Sequence, residues 1–175
     1  GVEVLCCPWS SIFEEIACLQ PQVIISLIGT TKKQARRGGG DYESVDTGLN
    51  LSLIDAAVAL AEPPRFIYLS SMGVEWARWS AYLRARAIVE ERLGESGLPA
   101  TIIRPGFLSG PSRDERRPLE VGGAAFARGL ATCARSLSLP KLAGRVAPLD
   151  APELAAFIGQ LLEREARTVP QLECY

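Results

Sequence analysis

The chain has 175 residues, 47% of them hydrophobic, and a formal net charge of −1. That length fits one domain with a real core, and the near-neutral charge excludes any electrostatic reason to expect nucleic acid or an anionic membrane as partner. The longest apolar run, Val23 to Ile28, falls far short of the ~20 residues a transmembrane helix needs.

In chain order, Val2-Glu3-Val4-Leu5-Cys6 reads as a short strand broken by Pro8. No basic start followed by an apolar stretch marks a secretory signal. Ser10 or Ser11 can cap a helix through about Leu19, with Glu14 at capping-box spacing from Ser11, and Pro21 ends it. Val23-Ile24-Ile25-Ser26-Leu27-Ile28 is nearly all apolar and rich in β-branched residues, the pattern of a strand buried in a parallel sheet. Gly29-Thr30-Thr31 closes it, and the polar, glycine-rich stretch from Lys32 to Tyr42 reads as a loop.

A helix is expected from about Ser44 to Ala61, with Val45, Leu49, Leu53 and Ala56 or Ala57 on one face, stopped by Pro63-Pro64. Phe66 to Leu69 is the next strand, Trp76 to Leu93 a helix ended near Gly94 or Gly97, and Ala100 to Ile103 a further strand. After a Pro/Gly/Arg-rich loop come helices at about Gly122–Ala134 and Pro152–Arg164, with a short strand at Arg145–Pro148 between them. Strands alternating with helices at this spacing imply one α/β domain over residues 1–175, a Rossmann-like parallel sheet with helices on both faces.

Five cysteines, Cys6, Cys7, Cys18, Cys133 and Cys174, stand at irregular spacing without a C-x-x-C pair, and the chain has no histidine. No metal site is expected, and the thiols fit a reducing intracellular compartment, cytosol or organelle. The missing histidine also excludes Ser-His-Asp and Cys-His catalysis.

In a doubly wound sheet, ligands bind beyond the carboxyl ends of the strands. Gly29-Thr30-Thr31, Ser70-Ser71 and Pro105-Gly106 each follow a predicted strand and so belong to one rim. Tyr82 and Arg86 are four apart and share a helix face. On that rim Tyr82 can protonate a substrate oxygen if a cation lowers its phenol from ~10, and Ser71 or Ser70 can hydrogen-bond the carbonyl. Plainer readings stand beside these: serines that cap a turn, a core tyrosine, threonines and a Pro-Gly pair that only end strands. The pairs Lys32-Lys33 and Arg36-Arg37 and the cluster Arg113, Arg116, Arg117 are either solvated loops or phosphate contacts.

Five segments occur in an order found in one group of proteins: Val23 through Thr31, Asp46 ahead of Leu49-Asn50, Tyr68-Leu69-Ser70-Ser71-Met72-Gly73, Tyr82-Leu83-Arg84-Ala85-Arg86, and Arg104 through Pro111. On these the chain resembles the atypical short-chain dehydrogenase/reductase group, nearest its NmrA-like and Tip30/Fmp52-like NAD(P)-binding members. The resemblance implies Ser71, Tyr82 and Arg86 as catalytic residues, and Gly29, Thr30, Thr31, Ser70, Pro105, Gly106 and Phe107 as NAD(P)-binding residues. The family carries Lys where this chain has Arg86, and the two are not interchangeable.

The family's G-x-x-G-x-x-G turn, whose backbone N–H groups hold pyrophosphate, has no counterpart after Val2–Cys6, where Trp9 stands instead of glycine. The first one or two β-α units of the family are therefore expected to be lacking, which leaves Val23–Ile28 with an open apolar edge that a protein partner or an N-terminal segment would cover. The leading expectation is a degenerate scaffold with a structural or interaction role, a subunit of a larger assembly. The alternatives are an NAD(P)H-dependent oxidoreductase of carbonyls or alcohols whose phosphate loop comes from outside the chain, and a sensor that binds a dinucleotide without turnover.

Overall fold

A computed structural model of the chain describes residues 3–30, 38, 40–106, 108–109, 149–165 and 173–174. Its elements are α1 (Ile12–Leu19), β1 (Val23–Ser26), a π-helical segment Tyr42–Leu49 running into α2 (Asn50–Val58), and β2 (Arg65–Leu69). A 3-10 segment Val74–Trp79 precedes α3 (Ala81–Glu95) and β3 (Ala100–Ile103), followed by β4 (Leu108–Ser109), β5 (Leu149–Asp150), α4 (Ala151–Glu165) and β6 (Glu173–Cys174). The chain divides into two compact units, residues 1–104 with 170–175 and residues 105–169.

The first unit is a wholly parallel sheet in the order β1-β2-β3-β6, with Ile24 opposite Phe66, Ile67 opposite Thr101 and Ile102 opposite Cys174. Ile24, Phe66, Tyr68, Ala100 and Ile102 alternate along their strands and so face one side. There they pack with Ile16 of α1, Leu53, Ile54 and Ala57 of α2, and Val89 and Leu93 of α3. The parallel Rossmann-like architecture read from the apolar runs is therefore the observed one. The helices described in this unit form a single layer. On the opposite face Ile67 is 1% exposed and Ile25 is 40% exposed. In the second unit β4 pairs in parallel with β5, Leu108 opposite Leu149, and α4 follows directly.

Several local expectations are corrected. Residues 3–8 form neither strand nor helix and are exposed. Glu3 and Pro8 flank too little alternating apolar sequence to bury a face, so the strand expected at Val2–Cys6 does not form. Ser11 does not cap α1 with its side chain; its hydroxyl donates to the Pro8 carbonyl, 2.9 Å away, closing a 3-10 turn at Trp9–Ser11. The helix expected over Trp76–Leu93 is broken at Ser80, whose backbone is extended (φ −145°, ψ 125°) and whose hydroxyl accepts from the Leu83 N–H to start α3 afresh. The Ser44–Ala61 helix begins earlier, at Tyr42, because Asp41 and Ser44 exchange hydrogen bonds in a capping box. The expected strand at Arg145–Pro148 and helix at Gly122–Ala134 lie outside the described residues.

Candidate functional site

Helix α3 carries Tyr82, Arg86 and Glu90 four residues apart, on one face. That face meets the carboxyl ends of the strands. Arg86 is 7% exposed, and its Nη1 donates to the Ile28 carbonyl (3.1 Å) beyond β1, the Leu69 carbonyl (3.0 Å) at the end of β2 and the Tyr68 hydroxyl (3.1 Å). Its Nη2 stands 2.9 Å from Asp46 Oδ1. That contact lacks hydrogen-bond alignment, so Oδ1 and the buried Arg86 Nε are both without a hydrogen-bond partner. The guanidinium also lies over the rings of Tyr82 (5.2 Å to the centroid) and Tyr68 (5.6 Å), and Tyr82 packs on Tyr42 at 5.6 Å between centroids.

Asp46 reaches this point from the π-helical segment. Its second oxygen accepts the Thr30 N–H at 2.8 Å. A neighbouring buried pair supports it: Asn50 donates to the Asp46 carbonyl (2.8 Å), and the Ser26 hydroxyl donates to Asn50 Oδ1 (2.5 Å). Burial pushes the Asp46 carboxyl above its ordinary 3.8, while the Thr30 N–H and the Arg86 charge pull it down. Burial likewise raises the Tyr68 phenol to about 12, against the opposing pull of Arg86. For Arg86, burial works against the charge, but the tyrosines and Asp46 outweigh it, so the guanidinium stays protonated.

One turn along α3, Glu90 forms a second junction. It accepts the Ser70 hydroxyl, and Arg104 at the end of β3 grips it from Nε (3.0 Å) and Nη2 (2.5 Å). The strand ends are thus tied to α3 through a chain of alternating charges, Asp46, Arg86, Glu90 and Arg104.

Of the residues predicted from sequence, Arg86, Tyr82, Thr30 and Gly29 come together. Thr30 is buried and its amide is used by Asp46. Gly29 lies against the ion pair, where an added Cβ would meet Arg86 Nη2 and Asp46 Oδ1. Ser70 is buried and committed to Glu90, whereas Ser71 is half-buried and bonds only the adjacent Met72 carbonyl, at 3.2 Å. Pro105 is buried and Gly106 half-buried at the start of the second unit. Thr31, Phe107 and the basic pairs at Lys32-Lys33 and Arg36-Arg37 lie outside the described residues, as do Arg113, Arg116 and Arg117. Asp46, Tyr68, Glu90 and Arg104 were not singled out for chemistry. The available signal was a carboxylate, Asp46, one residue from the face assigned to the core. Among the described residues no cluster of three metal-ligating side chains occurs.

A parallel sheet whose carboxyl rim gathers serine, tyrosine and a basic residue defines a Rossmann-like protein of the atypical short-chain dehydrogenase/reductase kind. The model of the NAD(P)H-binding family matches residues 17–132, and the chain belongs to that family. It is 37% identical over 101 residues to "Protein fmp52, mitochondrial" of Aspergillus fumigatus, covering 57% of this chain and 42% of that protein. It is 32% identical over 120 residues to "Protein fmp52-1, mitochondrial" of Aspergillus terreus, covering 68% and 50%. The chain thus spans about half the length of the curated relatives it matches. Among solved structures, the NADP complex of dTDP-4-dehydrorhamnose reductase from Bacillus anthracis shares the fold with a TM-score of 0.62 at 13% identity, over 96% of this chain and 60% of that one. The enzyme WbmH of Bordetella bronchiseptica, in complex with NAD+, does so with 0.54 at 15%, over 95% and 66%.

Proposed function

We propose that the chain works as a structural and interaction-bearing member of the NAD(P)H-binding family, a subunit of a larger assembly, and not as a self-sufficient oxidoreductase. The observation that carries this is the commitment of Arg86. The cation that would steady a nicotinamide ribose and lower the Tyr82 phenol is buried, and its Nη1 and Nη2 already serve three oxygens and a carboxylate. The Thr30 amide and the Ser70 hydroxyl are spent inside the protein as well. Among the described residues the groups expected at the nicotinamide end therefore fit the fold better than they fit the coenzyme.

The interaction surface we propose is the open edge of β1, which pairs only with β2 among the described residues. Six of the twelve exposed large apolar side chains of the described residues, Val4, Leu5, Phe13, Leu19, Ile25 and Leu27, lie within residues 4–27, the stretch of sequence that contains this strand. An uncharged strand edge in that stretch suits strand addition by another polypeptide segment. The free, exposed Cys6, Cys7 and Cys18 suit a reducing intracellular site. The mitochondrial names of the relatives make a mitochondrial one the first place to look.

A second reading, an NAD(P)H-dependent oxidoreductase of carbonyls or alcohols, is favoured by the Tyr82 ring beside a permanent cation and by the half-buried Ser71 hydroxyl at the same strand end. Titration with NADPH and NADH, followed by the fluorescence of the exposed Trp76 and Trp79, separates the two. No response at millimolar coenzyme is the expected result. Coenzyme consumption with a carbonyl substrate that Tyr82→Phe abolishes, with coenzyme binding retained, establishes the second reading and removes the first.

A further inference from the structure

We propose that the Asp46–Arg86 ion pair is a positioning device for the Gly29–Thr30 turn, and that Gly29 is glycine so that this turn can seat on the pair. The family resemblance makes Gly29 an NAD(P)-binding residue. The space where its Cβ would stand is filled from inside the protein, by Arg86 Nη2 and Asp46 Oδ1. The next residue, Thr30, gives its N–H to the same carboxylate at 2.8 Å, and the preceding carbonyl, of Ile28, takes Arg86 Nη1 at 3.1 Å. Three consecutive residues beyond β1 are therefore held by two side chains that come from different helical segments, Asp46 from Tyr42–Leu49 and Arg86 from α3. The same guanidinium holds the Leu69 carbonyl at 3.0 Å, so the end of β1 is referenced to the end of β2 through one rigid planar group.

Stability alone is a poor reason for such a pair, because buried ion pairs replaced by apolar groups are often neutral or better, and this one leaves Asp46 Oδ1 and Arg86 Nε without hydrogen-bond partners. What the pair supplies is a fixed distance between the turn and two helices. Asp46 and Arg86 are in this sense positioning residues. The Thr30 amide is thereby spent inside the protein.

The proposal concerns the rim of the family fold and deepens the reading above, so its test has a readout that needs no ligand. Site-resolved amide hydrogen exchange on the 175-residue chain compares wild type with Gly29→Ala, Arg86→Lys and Arg86→Met. The Thr30 amide is expected to exchange at least about tenfold faster in Gly29→Ala and Arg86→Met, the scale of a hydrogen bond to a charged group. Thr30 should accelerate by a larger factor than Phe66, Ile67 and Tyr68 in β2, whose rates report any loss of global stability, and Arg86→Lys should fall between. Thr30 exchange unchanged in Gly29→Ala overturns the proposal. So does acceleration at Thr30 and β2 by one common factor, which reports only a less stable fold. If Arg86→Met fails to fold, Gly29→Ala and Arg86→Lys decide. NADPH titration of the same variants is read separately. Coenzyme binding or turnover in wild type bears on the function proposed above, while the exchange pattern alone bears on the positioning of the turn.

Discussion

Replacing Arg86 by Met tests how much of the fold rests on a single buried cation. The substitution keeps most of the side-chain volume and removes every donor. Asp46, fully buried, is left without its counter-charge, and the Ile28 and Leu69 carbonyls and the Tyr68 hydroxyl lose a donor. Removing one partner of a buried pair costs about 3–5 kcal/mol, because the remaining charge is uncompensated. Asp46 can relieve part of this by taking a proton, since burial already pushes its pKa upward, so roughly 3 kcal/mol is expected. With a urea m-value of about 2 kcal/mol/M, the unfolding midpoint of Arg86→Met should fall by roughly 1.5 M, followed by circular dichroism. The pair Asp46→Leu with Arg86→Met removes both charges and should recover at least half of the loss. An Arg86→Met midpoint within about 0.5 M of wild type, or a double variant no better than the single one, would refute the view of Arg86 as a committed internal cation.

Tyr68 offers a pH test. Its folded-state pKa is raised from 10.0 to about 12, so the folded protein holds this proton more tightly than the unfolded chain. The associated stability is fully present below pH 10 and is lost as the pH rises towards 12, a decline of roughly 3 kcal/mol at 1.36 kcal/mol per unit. Wild type should therefore lose stability across this window more steeply than Tyr68→Phe; parallel melting curves between pH 9 and 12 would show that the phenol is not desolvated. Just past the open edge strand, Leu27→Lys places a charge at an exposed position and should leave stability within about 0.5 kcal/mol, while weakening any concentration-dependent association measured by sedimentation. A wild-type chain that is monodisperse, with exchange-protected amides along Val23–Ile28, would show that this edge recruits nothing.

The sheet was legible because its strands are written as apolar runs that no helix period explains. Val23–Ile28 and Ala100–Ile103 needed no tertiary information, and β3 occupies the run read for it. The helical face between Tyr42 and Val58 was read at 3.6 residues per turn, which turned Val45 and Leu49 inward. The first half is π-helical, its residues advance by a different angle, and Asp46, Thr47 and Asn50 face the core instead, with Val45 and Leu49 only half-buried. That single change of winding hid Asp46 and with it the partner of Arg86. The break at Ser80 was written in the sequence as an N-cap residue, but Trp76 to Leu93 was read as one continuous helix. The Glu90 junction carried no local signal, since its members come from β2, α3 and β3 and meet only in the fold.

The arginine at position 86, where the resembling family has lysine, follows from the number and spread of the acceptors around it. The Ile28 carbonyl, the Leu69 carbonyl, the Tyr68 hydroxyl and the Asp46 carboxylate stand at 2.9 to 3.1 Å from two different nitrogens of one group. A lysine ammonium offers three donors from one point and cannot span them without drawing the strand ends together. A forked guanidinium spans them at no such cost. The same fork has both Nη groups engaged inside the protein, Nη1 by hydrogen bonds and Nη2 by the ion pair, and its Nε is buried. On the function proposed above, the residue that ties β1 to β2 is also the one whose cation is withdrawn from chemistry. On this reading Arg86→Lys loosens the turn at Gly29–Thr30 while returning a mobile cation to the vicinity of Tyr82, so lost stability and gained reactivity towards coenzyme would appear in one variant.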